Sequence, residues 1–135
     1  MLLKPAAFFI KKNSTLPVLK FQLTEGLKRK YNITDDMLED CAVTFSLYNE
    51  YNDVYAIANR EASLLIADPS TFEDVEETKY TLAYKFTLRD TAKAGRFLGE
   101  FKIDFLGDCC GKITFPVDEK IPVIIQDSIT KTTVV

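Results

Sequence analysis

At 135 residues, with 47% apolar and 27% charged side chains, the chain has the size and composition of one globular domain that can bury a full core without metals or disulfides. Its net charge of −3, with Lys28-Arg29-Lys30 as the densest basic run, excludes a surface that tracks nucleic-acid phosphates, which needs clustered cations. The absence of histidine excludes Ser-His and Cys-His catalysis and removes the commonest metal ligand.

The dominant pattern along the chain is apolar–polar alternation at period two, the mark of half-buried strands. Residues 1–10 form an apolar arm in which Lys4 and Pro5 interrupt the run before Phe8-Phe9-Ile10, and Lys11-Lys12 close it. That run is too short for a secretory signal, and nowhere does the chain approach the ~20 apolar residues of a membrane span. Leu19, Phe21 and Leu23 alternate with Lys20 and Gln22. The run Lys28-Arg29-Lys30 reads as a solvated face. Thr34 is placed to cap a short helix over Asp35–Asp40, with acids in its first turn favouring the helix dipole. Cys41, Val43, Phe45 and Leu47 then put their side chains on one face of a strand. Asn49-Glu50-Tyr51-Asn52-Asp53 turns that strand into Val54–Ala58 as a hairpin. Ser70-Thr71-Phe72-Glu73 has capping-box spacing for a second short helix.

The second half repeats the alternation more strongly. Tyr80, Leu82, Tyr84, Phe86 and Leu88 share one face, and after the turn Asp90–Gly95 so do Phe97, Phe101, Ile103 and Phe105. Gly99 interrupts that series and reads as a bulge or a close backbone approach. Gly107-Asp108-Cys109-Cys110-Gly111 is a turn before the short strand Lys112–Phe115. Pro116 ends its ladder, having no N–H to donate. Ile121, Val123 and Ile125 make the last strand. A one-residue slip would turn any of these apolar faces into water, so the registers are well specified.

The expected fold class is all-β: an antiparallel two-sheet β-sandwich with immunoglobulin-like topology, one or two short connecting helices and seven to nine strands. Residues 1–135 form a single domain, with 1–10 as an N-terminal arm and 128–135 as a C-terminal tail.

Little in the chain points to chemistry. The acidic clusters Asp35-Asp36/Glu39-Asp40 and Glu73-Asp74/Glu76-Glu77 lack calcium-loop spacing and read as solvated faces. Cys41, Cys109 and Cys110 are odd in number and show no C-x-x-C spacing, so they read as reduced thiols rather than a disulfide framework or a zinc site. No cofactor, metal site or catalytic residue is expected, and the chain reads as a non-enzyme. The candidate interface residues are aromatic and β-prone. Tyr48, Tyr51 and Tyr55 surround one hairpin tip, where they could anchor a protein, stack on a sugar, or simply pack across the strands. Phe8, Phe9 and Ile10 at one end and Thr132, Val134 and Val135 at the other could pair with a neighbouring subunit's open sheet edge, or form edge strands of the chain's own sandwich.

The order Tyr84-Lys85-Phe86, Arg89-Asp90-Thr91, Ala94-Gly95-Arg96-Phe97, Glu100-Phe101, Ile103-Asp104-Phe105, Gly111-Lys112-Ile113-Thr114-Phe115-Pro116 and Ile121-Pro122-Val123-Ile124-Ile125 resembles the N-terminal domain of phage upper baseplate proteins. Asp90, Thr91, Gly95, Phe97, Phe101, Thr114, Phe115 and Pro116 match its turn-and-strand pattern. The first half fits more loosely: 16–23 and 41–48 sit where the family has its opening strands, with 24–40 as an insertion. The resemblance implies a sandwich that attaches to the tail tip and forms a ring. The family usually continues into a C-terminal region that carries receptor-binding proteins, so a chain of this length is expected to be a stand-alone adaptor or ring subunit. The expected function is that of a virion structural protein of a bacteriophage tail, neck or baseplate, made in the host cytoplasm. Its partners would be other virion structural proteins in a homo-oligomeric ring, with no nucleic acid and no membrane. The alternatives are a capsid decoration protein and a carbohydrate-binding sandwich.

Overall fold

The alternating segments fold as strands because each carries one apolar face that only a second layer can keep from water. The computed structural model describes residues 6–68, 70, 78–106 and 111–127. They contain strands β1 (Phe8–Lys11), β2 (Leu19–Leu23), β3 (Cys41–Asn49), β4 (Val54–Glu61), β5 (Ser63–Ile66), β6 (Tyr80–Tyr84), β7 (Gly95–Phe105), β8 (Lys112–Phe115) and β9 (Ile121–Gln126), with helices α1 (Glu25–Lys30) and α2 (Asp35–Glu39). One sheet has the order β1-β9-β7-β3-β4, with β8 also paired to β7; the other has the order β2-β6-β5. The chain is therefore all-β with two sheets.

The long strand β7 organises the larger sheet. Along one edge it pairs with β3 from Phe97 to Phe105. Along the other it pairs first with β9, at Gly95–Gly99, and then with β8, at Phe101–Asp104. The loop beginning at Pro116 thus connects two strands that follow one another along the same edge. All pairings are antiparallel except β1 with β9, which is parallel. This departs from the wholly antiparallel expectation. A tight hairpin forces antiparallel pairing, but β1 and β9 are separated by most of the chain and are free of that constraint.

The core is aromatic. Phe45, Phe86 and Phe101 are completely buried, and Tyr84 and Phe105 nearly so, as the alternation predicts; Phe115 at the end of β8 is buried with them. Phe45 of the larger sheet stacks on Tyr84 of the smaller at 4.6 Å between ring centroids, and it meets Phe101 at 5.0 Å. Burying a side chain of this size contributes ~1.5–3 kcal/mol. Gly99 makes room for this stack. A Cβ built there would lie 2.9 Å from Cζ of Phe45, so the break in the alternation marks a close backbone approach.

Four features differ from expectation. The β6 ladder stops at Tyr84, and Leu88 is exposed rather than on the buried face. The cause is a turn in which the Thr87 N–H donates to the Asp90 carboxylate at 2.9 Å and the Asp90 N–H donates to Thr87 Oγ1 at 3.2 Å. Helix α1 adds an element where the sequence shows no helix signal of its own beyond Thr24, which caps it, its hydroxyl accepting from the Leu27 N–H at 3.2 Å. Lys28 of the supposedly solvated basic run is buried, held by Asp35 and Glu25 with its ammonium 4.9 Å above the Tyr80 ring. Strand β4 runs on to Glu61 and then crosses at Ala62 into β5 of the other sheet, Ala62 N–H donating to Val43 O at 2.9 Å. The α2 helix does form, with Thr34 as its cap. The helix expected at Ser70–Glu73 and the turn at Gly107–Gly111 lie largely outside the described residues.

Candidate interaction surface

The β3–β4 hairpin carries the most exposed aromatic group of the described residues. Its strands put Tyr48 directly opposite Tyr55, and their rings meet edge to face at 5.4 Å. The turn is closed by the Tyr51 N–H donating to Asn49 Oδ1 at 2.9 Å, and Asp53 adopts a left-handed φ of 56° that an acid with a short side chain tolerates. The Tyr48 hydroxyl donates to the Asp53 carboxylate, and that bond is the main cause of its raised pKa. Tyr51, at 84% exposure, Val54 and Tyr55 then face solvent at the tip. The structure thus brings Tyr48, Tyr51 and Tyr55 into one region, as the sequence suggested.

The strand edge below that tip is irregular. Between Phe45 and Tyr48 the register with β4 shifts twice, and Asn59 has a left-handed φ of 48°. The buried Ser46 hydroxyl accepts from the Asn59 N–H at 2.9 Å and so holds one of these irregularities in place. Bulges twist an edge away from flat pairing. The hairpin therefore offers side chains to a partner more readily than it offers a continuous strand edge.

The N-terminal candidates separate. Ile10 is buried in the core and Phe8 stacks on Phe86 at 5.7 Å, so neither is a free arm; both belong to the chain's own sandwich through β1. Only Phe9, half exposed on the outer face, remains open to a partner. Pairing in β1 buries alternate residues, and that parity explains the split. Thr132, Val134 and Val135 lie outside the described residues.

The alternation also concealed a polar clasp between the sheets. Asp90, with its side chain 2% exposed, accepts from the Tyr84 hydroxyl at 2.6 Å, the Thr87 N–H at 2.9 Å and the Arg60 guanidinium at 2.5 Å. Arg60 comes from β4 of the larger sheet, whereas Tyr84 closes β6 of the smaller. Burial alone would raise the Asp90 pKa, but its donors outweigh that and hold it below the ordinary carboxylate value. Burial, with the Asp90 carboxylate beside it, pushes the Tyr84 phenol up to about 12. The next residue, Thr91, is fully buried and donates from Oγ1 to Ser14 O at 2.8 Å, so the same turn anchors the loop after β1. The Thr87-x-x-Asp90 spacing is the one sequence signal that could have found this turn. Nothing local marks Arg60 as its partner.

Two more titratable groups, Asp35 and Cys41, are engaged. Asp35 binds Lys28 and Lys79. Cys41 is half-buried, its thiol pushed up by burial and by Asp40, and its Sγ–H points to Leu38 O at 3.5 Å. A raised pKa keeps it a poor nucleophile at neutral pH. Cys109, Cys110 and the acids at 73–77 lie outside the described residues. Among the described residues no group of three or more His, Cys, Asp or Glu side chains converges, and no helix is long and apolar enough to cross a membrane. No family model, curated protein or solved structure matches the chain.

Proposed function

We propose that this chain is a non-enzymatic virion structural protein, a ring or adaptor subunit of a bacteriophage tail, neck or baseplate with an immunoglobulin-like sandwich, acting through contacts between subunits. The observation that carries the assembly part is the β3–β4 hairpin, on which Tyr51, Val54 and Tyr55 leave a cluster of large apolar side chains in water. Clustered exposed aromatics are costly in an isolated domain and are the usual anchors of protein interfaces. The larger sheet also ends in two unlike edges, β1 at one side and β4 at the other. Two different surfaces at opposite edges suit head-to-tail contacts, which close into rings when the rotation allows. The phage setting rests on the resemblance of residues 84–125 to upper baseplate domains.

Size-exclusion chromatography with light scattering on the full chain tests the assembly part. The expected result is a concentration-dependent oligomer that Tyr51→Ala with Val54→Asp weakens without loss of fold. A strict monomer at all concentrations would sink it. Locating the subunit in a particle by electron microscopy tests the setting, and separates a tail or baseplate position from capsid decoration. A carbohydrate-binding module is the second reading, favoured by the open Tyr51 ring beside Asn49 and Asp53; glycan-array binding by a monomer would select it.

A further inference from the structure

On the side of the sandwich away from β4, the two sheets end in β1 and β2, each with one edge unpaired among the described residues. Between them opens a cleft of about 400 Å³, lined by Ala7, Phe8, Leu19, Phe21, Gln22 and Ile121 among others. Phe8 and Phe21 are only half-buried there, and Ala6 and Ala7 add small side chains to the lining. An edge strand supplies main-chain donors and acceptors, and an apolar cleft beside it takes alternate side chains; together these are the requirements for capturing an extended peptide.

The proposal rests on the assembly reading above and adds a second contact, at the edge opposite the hairpin. We infer that this cleft accepts, as an added strand, the segment 128–135 of a second copy of the chain. That segment, Ser128-Ile129-Thr130-Lys131-Thr132-Thr133-Val134-Val135, is rich in β-branched residues and contains neither proline nor glycine, so it is suited to a strand. Eight residues extended reach roughly 26 Å, enough to span an edge strand of this length. The point of departure favours a neighbour over the chain itself. Gln126 at the end of β9 pairs with Lys11, and Lys12 N–H donates to Gln126 O at 2.7 Å, whereas the cleft opens at the other end of β1, by Ala6, Ala7 and Ile121. To reach it, a chain's own segment must cross over β1 and reverse direction. A neighbour's segment needs neither.

The test uses the full chain with a photoreactive phenylalanine analogue in place of Ala7, prepared as a mixture of isotopically heavy and light protein. Irradiation and mass spectrometry should give crosslinks from position 7 to residues 128–135 that join a heavy chain to a light one. In parallel, Thr132→Pro and Val134→Asp in otherwise native chain should lose self-association in sedimentation velocity. Crosslinks confined to one chain, or none to residues 128–135, would overturn the proposal, as would association unchanged in both variants. If association persists in those variants, the subunit assembles by another surface and the functional reading stands. If the native chain does not associate at all, both fall.

Discussion

Strand β3 contributes aromatic residues to two regions with opposite fates. At its middle Phe45 is fully buried between Tyr84 and Phe101, while near its end Tyr48 shares an open tip with Tyr55 and Tyr51. Both regions carry rings. What separates them is parity: Phe45 lies with Val43 and Leu47 on the face of β3 that meets the smaller sheet, whereas Tyr48 lies on the other face, opposite Tyr55. An aromatic residue in an alternating strand is thus core or interface according to the face it takes, and a face is core only where a second layer covers it.

If this contrast is right, changes in the middle of β3 and β7 should cost stability, and changes at the tip should cost only association. The largest effect is expected for Phe101→Ala, which removes a fully buried ring and should cost ~3–5 kcal/mol in urea unfolding. An unchanged midpoint would mean that the two sheets do not close over Phe101.

Gly99→Ala comes next. Its new methyl would meet the Phe45 ring at 2.9 Å, and overpacking of this kind should cost ~1–3 kcal/mol. Combining it with Phe45→Leu should recover part of the loss, since the clash is with that ring; no recovery would place the strain elsewhere.

Asp90→Asn should cost ~1–3 kcal/mol through weakened bonds to Tyr84, Thr87 and Arg60, with the exposed Arg60 able to turn to water. The pH dependence gives a sharper check. The native Asp90 carboxyl is held below its ordinary value, so its stabilisation is present above about pH 4 and is lost as pH falls through the depressed native value. The Tyr84 phenol is raised from 10.0 to about 12, so its contribution is complete below pH 10 and is lost as pH rises toward 12. Thermal melts across pH should therefore show an acid limb that Asp90→Asn flattens and an alkaline limb that Tyr84→Phe flattens. Limbs unchanged in both variants would remove the clasp from the account of stability.

The smallest effect on folding is expected at the tip. Tyr51→Ala should move stability by no more than ~0.5 kcal/mol, as a surface change away from the core does, while weakening oligomers in light scattering. A large loss of stability there would show that the hairpin is part of the core.

The amino-acid order by itself determined which faces of the strands are apolar, because in a strand the side-chain period is fixed at two and is read without knowing any partner. Phe45, Tyr84, Phe86, Phe101 and Phe105 were legible as core on that basis, as were the Thr34 cap and the close approach at Gly99. Alternation is silent about what lies opposite. Only the tertiary structure decided that Phe8 and Ile10 close the chain's own sheet while Phe9 faces out, since this depends on β9, which lies more than a hundred residues away in the chain. It also decided that Lys28 is buried under Asp35, and that Arg60 reaches Asp90 across thirty residues. Pairings between charged groups in distant segments leave no period in a sequence: they arise where the backbone brings two elements together, and the hydrophobic pattern constrains that meeting only through the faces it buries.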